Sequence, residues 1–352
     1  MTKYKYLFSF FIPAIIGFSL WSNSIFVFTA LVFLFGIIPL LELFSVADDS
    51  NFSVEQEVSE GSSKFYDWVV YLFLPCQFTL VFYFLFTIDK TTETYLIIGK
   101  ILSMGLACGI LGINVAHELG HRVSWYEKAM SQALLLTSMY MHFFIEHNYG
   151  HHQNVSTDMD PASAKRGESL YVFHLRSIFT GYISAWKIQA ELLKRKGAMF
   201  FSFQNKMIWF SLIQLGFLCF IYLVFGVKTL LAYLAAAFIG VFLLETVNYI
   251  EHYGLRRKLK PSGHYERTMP AHSWNSNHPI GRILLFELSR HSDHHYIATR
   301  KYQILRHFDD SPQMPTGYPG MMLLSTIPPL WFFLIHKRLD TYKNQKFQSL
   351  LG

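Results

Sequence analysis

Nine of the sixteen histidines lie in four short motifs, and each motif holds one carboxylate. The motifs are His117-Glu118-Leu119-Gly120-His121, Glu146-His147-Asn148-Tyr149-Gly150-His151-His152, Asn248-Tyr249-Ile250-Glu251-His252-Tyr253-Gly254 and Arg290-His291-Ser292-Asp293-His294-His295. Neutral imidazole binds iron, zinc, copper and nickel. Residues three or four apart share a helix face, so His117 should point with His121, His147 with His151, and His291 with His294 and His295. A metal-bound histidine usually donates its other N–H to an outer acceptor. Glu118, Glu146, Glu251 and Asp293 are expected in that outer role, although one of them could reach a metal directly. A structural zinc takes four ligands and a catalytic zinc commonly three plus water. Nine histidines are too many for one such site and suit two metals with four or five imidazoles each.

Taken singly, the motifs say less. His117-Glu118-Leu119-Gly120-His121 also fits the H-E-x-x-H pattern of a zinc protease, with Glu118 as base. His252 alone, flanked by tyrosine, reads as an interface anchor at a helix end. A metal transporter or sensor would string its ligands along the spans, whereas these motifs gather at one face. His142, His174, His264, His272, His278, His307 and His336 are read as hydrogen-bonding or surface groups.

Composition indicates what must position these motifs. Of 352 residues, 52% are hydrophobic, 17% aromatic and only 15% charged, against roughly 25% charged in an ordinary soluble domain. Apolar runs of about 20 residues cross a hydrocarbon core. Six spans are expected, over about 6–21, 24–44, 65–86, 95–115, 207–225 and 229–250. The first follows Lys3 and Lys5 as a signal peptide would, but no small-residue cleavage site comes after it, so it is expected to stay. Met321 to Ile335 is short, contains Pro328 and Pro329, and reads as a re-entrant, interfacial or core segment. Two long polar segments, about 116–206 and 251–352, hold most of the Lys and Arg. With six spans both fall on the side of the N-terminus, which the positive-inside rule makes the cytoplasm. The acidic loop from Val46 to Ser63 falls there too, but that rule counts cations rather than net charge. The expected fold is a single all-α integral membrane domain of about six transmembrane helices, with a cytoplasmic helical cap that carries the histidines.

The formal charge of +6 suits a wet face meeting anionic lipid head groups or an acidic partner. No nucleic-acid-binding signature is present. Cys76, Cys108 and Cys219 are far apart in sequence, which leaves a disulfide framework, a redox pair and a four-cysteine iron site unsupported. Any electrons would come from a separate carrier.

Together the motifs resemble those of the membrane alkane 1-monooxygenases, a branch of the fatty-acid desaturase and hydroxylase superfamily. The superfamily's three histidine boxes match His117/His121, His147/His151/His152 and His291/His294/His295. The stretch around His252 is the mark of the alkane branch. Met159-Asp160-Pro161-Ala162, Gly167 to Tyr171, Ser273 to His278 and Pro315 to Gly320 are also similar to that family. Arg122 stands where Lys is expected, and Ser289 where Gln is usual. The resemblance implies that the nine histidines hold two Fe ions as a non-haem di-iron site. It implies O2 as co-substrate, electrons from rubredoxin and its NADH-dependent rubredoxin reductase, and insertion of one oxygen atom into a terminal methyl group. It also implies a bacterial inner-membrane location with the site on the cytoplasmic side. A xylene-type methyl monooxygenase and a lipid desaturase are the rival readings within the superfamily.

An alkane dissolved in the bilayer would enter sideways through an apolar channel. Candidates for its wall are Leu34, Ile37 and Ile38, with Gly105, Gly109 and Gly112. For the glycines, close helix packing weighs more than a channel wall.

Overall fold

The computed structural model describes residues 3–349. Their regular structure is helical, with two isolated β-bridges and no strand among the described residues. Five helices are long and apolar enough to cross a membrane: Lys3–Trp21, Ile25–Phe44, Lys64–Ile88, Thr94–Gly120 and Lys206–His252. The fifth has 47 residues, and as one rod it would be about 70 Å long. Gly226 breaks it with φ +82° and ψ 177°, in the left-handed half of φ space that suits a residue without Cβ. The two arms then run antiparallel, with Phe217 against Tyr233 at 5.6 Å between ring centroids. Two spans expected over 207–225 and 229–250 therefore appear as two arms of one interrupted helix.

Much of the surface of these helices is apolar and outward-facing, as at Phe44, Phe86, Leu215, Leu223, Val227 and Leu231. A patch of that kind needs lipid or a partner to cover it. Inside, Gly105 and Gly109 let the fourth helix close on the second arm of the fifth. A Cβ on Gly105 would stand 2.5 Å from Ile239 Cγ2, and one on Gly109 3.0 Å from Leu243 Cδ1.

The chain reverses between Trp21 and Ile25, between Ile88 and Thr94, and at Gly226. Lys228 joins two of these reversals by donating to the carbonyls of Asp89 and Thr91, both at 2.7 Å. The histidine motifs lie at the other ends of the helices. Leu170–Arg195 forms a long helix between them. The expected short apolar segment is divided into Tyr318–Ser325 and Pro328–Ser349, with Met321, Trp331 and Ile335 buried.

Candidate metal centre

His117 occupies the last turns of the fourth long helix, and His121 follows its end. His147–His151 is a π-helical turn, and His152 opens the next short helix. His252 is the final residue of the interrupted helix. His291, His294 and His295 lie in the short helix His291–Tyr296. Asn275 clamps that helix, with its Oδ1 accepting from Ser292 N at 2.8 Å and its Nδ2 donating to Ser292 Oγ at 2.7 Å.

The nine side chains gather into two adjoining groups. One holds His117, His121, His147, His152 and His294; the other holds His151, His252, His291 and His295. Within each group the ligating atoms lie within 4.8 Å of one another. In the first, Nε2 of His147 lies 3.0 Å from that of His121 and 3.1 Å from that of His152, and His152 is 3.1 Å from His294. In the second, Nε2 of His291 lies 3.1 Å from that of His252 and 2.9 Å from that of His295. His295 also lies 3.1 Å from His151 Nε2, and the two groups adjoin where the rings of His152 and His295 lie 4.4 Å apart between centroids.

These distances fit metal ions. Nitrogens about 2.1 Å from a common ion and at right angles to each other are about 3 Å apart. An Nε2 carries one proton or one lone pair, so contacts such as those of His147 to two other Nε2 atoms are not satisfied by hydrogen bonds alone. A cation at the centre of each group would meet every lone pair at once. Burial also pushes the pKa values of His121, His147, His152, His291, His294 and His295 well below the usual imidazole range, which keeps them in the neutral, ligating form.

The π turn changes the expected pairing. His147 and His151 neighbour each other at 5.2 Å between ring centroids, yet they serve different groups. The wider turn brings His147 and His152, five residues apart, into the same group. His294 likewise parts from His291 and His295.

The carboxylates divide more sharply. Glu251 sits at the second group, with Oε2 3.1 Å from His291 Nε2 and Oε1 accepting from Tyr318 OH at 2.7 Å. It is placed where an acid could reach a metal directly. Glu118, Glu146 and Asp293, expected in the outer role, meet other donors here. Glu118 takes Arg122 Nη2 at 2.6 Å and the Tyr302 backbone N–H at 3.3 Å. Glu146 takes Ser184 Oγ at 3.4 Å. Asp293 takes Arg300 Nη1 at 2.7 Å and the Arg306 N–H at 2.8 Å. Their bonds tie Glu118 to Arg122, Glu146 to Ser184 and Asp293 to Arg300 and Arg306.

Asp160 has the outer role, which residue spacing did not reveal. It accepts from His151 Nδ1 at 3.0 Å and is fixed by Ser163 Oγ at 2.5 Å and the Ala162 N–H at 3.0 Å. Burial opposes charge on His151, but the Asp160 carboxylate outweighs it and holds the pKa above its ordinary value. The signal was its place in Met159-Asp160-Pro161-Ala162, a segment notable only through family resemblance.

An almost wholly apolar cavity leads to this centre from between the helices. Ile12, Leu34, Ile38, Leu243, Leu284 and Met322 form much of its wall, and His117, His147, His291 and Glu251 stand at its polar end. Leu34, Ile38 and Gly109 line it as channel candidates. Ile37 does not, since its side of the helix faces outward and is 44% exposed. Gly105 and Gly112 are packing positions instead, and a Cβ on Gly112 would lie 2.6 Å from Ser138 Oγ. Two π-helical stretches, Phe33–Ile37 and Cys108–Asn114, carry Leu34, Phe35, Gly109, Ile110 and Asn114 of the wall. A π turn offsets the helix face by one residue, and such turns often occur at functional sites.

Comparison with known proteins agrees with this construction. Residues 94–325 match the fatty acid desaturase family. The chain is 40% identical over 311 residues to alkane 1-monooxygenase of Acinetobacter baylyi, covering 87% of this chain and 76% of that protein. It is 46% identical over 252 residues to alkane 1-monooxygenase 1 of Pseudomonas aeruginosa, covering 71% and 66%. The hydroxylase component of a Pseudomonas putida xylene/toluene monooxygenase is 30% identical over 303 residues, covering 85% and 79%. With its paired histidine groups and membrane-length helices, the chain belongs to the fatty acid desaturase family and, within it, to the alkane 1-monooxygenases.

Proposed function

We propose that the chain hydroxylates the terminal carbon of medium- to long-chain alkanes, giving 1-alkanols, with two irons held by the nine histidines. One oxygen atom of O2 enters the C–H bond. The other leaves as water with two electrons and two protons. Bound irons would supply the oxygen activation. The preference for iron over zinc rests on the family.

The observation that carries this reading is the apolar cavity ending at His117, His147 and His291. An alkane already dissolved in lipid gains little by moving to an equally apolar wall, so the cavity selects by shape more than by affinity. Leu34, Ile38 and Leu284 would hold the chain extended and offer its end carbon to the centre. The same walls would exclude water from the reacting end. His151, fixed by Asp160, would keep its Nε2 toward the second ion. Glu251, steadied by Tyr318, would bound the reacting space on that side.

The interrupted helix supports a six-span membrane domain. Lys and Arg of segments 116–206 and 251–352 support a cytoplasmic site in the bacterial inner membrane. Electrons would come from rubredoxin and its reductase, an acidic carrier being steered by the basic face. The similarity to a xylene/toluene monooxygenase favours an aromatic methyl group as the second reading.

The test is to express the full chain with rubredoxin and its reductase and to supply octane, hexadecane or xylene under labelled O2. Labelled 1-alkanol supports the proposal. Labelled benzylic alcohol with no alkanol, at full iron content, would transfer the assignment to aromatic substrates.

A further inference from the structure

Among the described residues, Arg122, Arg282, Arg290 and Lys100 are buried cations. Each arginine has a carboxylate within ion-pair reach: Asp67 at 3.0 Å from Arg122, Glu287 at 2.6 Å from Arg282 and Glu287 at 3.9 Å from Arg290. Lys100 is only 3% exposed and has none. Its side chain makes one hydrogen bond, to Thr91 Oγ1 at 3.2 Å. A buried ammonium has three protons to place and is costly unless an acceptor or an anion meets it.

Lys100 lies near the start of the fourth long helix, at the end of the bundle away from the histidines. It lines a cavity of about 500 Å³ where the first, third and fourth helices part. Lys90 lines the same cavity as a second cation, with Asn23 and Thr92. No carboxylate lines it. Its wall is held in place. Lys228 pins the carbonyls of Asp89 and Thr91, and the Thr91 hydroxyl donates to Thr87 O at 3.0 Å, leaving its lone pair toward Lys100. Trp21 and Phe86 flank the opening and are exposed. Trp21 and Tyr83, which also lines the cavity, are of the kinds that settle at the head-group level of a bilayer.

We infer that this cavity binds the phosphate of an anionic membrane phospholipid. Lys100 and Lys90 supply the charge, and Asn23 and Thr92 supply further donors. The exposed apolar helices beside Trp21 and Phe86 carry the acyl chains. A free phosphate would present the same oxygens, but it would leave this apolar rim uncovered. Two cations without a lining acid favour a lipid with net negative charge over a zwitterionic one.

The test uses the full chain purified in detergent, with retained lipid read by native mass spectrometry and the unfolding midpoint read in parallel. Phosphatidylglycerol, phosphatidylcholine and inorganic phosphate are added separately. One retained phosphatidylglycerol and a raised midpoint are expected, with a smaller response to phosphatidylcholine. Lys100→Gln and Lys90→Gln should each weaken phosphatidylglycerol binding by about fivefold, since a lysine near such a head group contributes about 1 kcal/mol. Lys90 is exposed, so its variant keeps the test open if Lys100→Gln fails to fold. Three results would overturn the inference: unchanged phosphatidylglycerol binding in both variants, equal response to phosphatidylcholine, or equal stabilisation by inorganic phosphate.

Discussion

Asp160 grips His151 from behind: the carboxylate lies 3.0 Å from Nδ1, while the opposite nitrogen of the same ring lies 3.1 Å from Nε2 of His295. The acid therefore sets which nitrogen of His151 faces the centre. Removing such an outer partner typically costs 10–100-fold in metal affinity or activity, so Asp160→Asn should weaken retention of one ion by about that factor. Iron per chain after graded chelation checks this. Wild-type retention in the variant would show that Asp160 only braces the loop.

Leu34 and Ile37 stand three residues apart, yet only Leu34 lines the cavity. Leu34→Trp should narrow it and shorten the longest alkane accepted, cutting the hexadecane-to-octane rate ratio by about tenfold or more. Ile37→Trp, on the outward side, should leave that ratio unchanged. Equal effects from both substitutions would contradict the cavity's assignment as the alkane path.

Gly105 and Gly109 differ although both lie on the helix that faces Ile239 and Leu243. Gly105 only packs. Gly105→Val would force Ile239 to move, since its Cβ would meet Cγ2 at 2.5 Å. Overpacking of this sort costs about 1–3 kcal/mol, read as a lower unfolding midpoint. Chain-length preference among the folded molecules should not change, and a changed preference would place Gly105 at the substrate.

The histidine types and spacings were legible because metal ligands recur on helix faces, and the nine residues singled out are the nine that gather. Their division was not legible. At His147–His151 the π turn adds a residue per turn, so a 3.6-residue expectation pairs His147 with His151 and misses His152 as its partner. Asp160 stayed hidden because it comes from a loop, where spacing carries no period. The acids beside the histidines drew attention by adjacency, but Glu118 and Asp293 are claimed by Arg122 and Arg300. The long apolar helices were legible from hydropathy, and the break at Gly226 falls between the runs expected over 207–225 and 229–250. Which flank of the second helix faces inward was not, because Leu34, Ile37 and Ile38 are equally apolar.

Glu287 ties the first helix to the segment around Arg282, accepting from Tyr6 OH at 2.6 Å and Arg282 Nε at 2.6 Å. Burial opposes its charge, but Arg282 beside it, with Lys5 and Arg290, outweighs burial and holds the carboxyl below the usual range. A depressed carboxylate contributes stability above its unfolded pKa, about 4.3, and loses it as pH falls through the lower folded value. Glu287→Gln leaves Arg282 underpaired and should cost about 3–5 kcal/mol at neutral pH, as broken buried pairs do. It should also flatten the fall in unfolding midpoint below pH 5, a range set by that unfolded pKa of about 4.3. A variant with the wild-type acid profile would remove Glu287 from that dependence.

The central claim is that the nine imidazoles hold two irons, five at one and four at the other. Metal analysis of the purified full chain, joined with single replacements in each group, tests it most directly. The account predicts about two irons and no stoichiometric zinc, with His121→Ala and His252→Ala each weakening a different ion. A single ion per chain, zinc in place of iron, or loss of the same ion in both variants would contradict it.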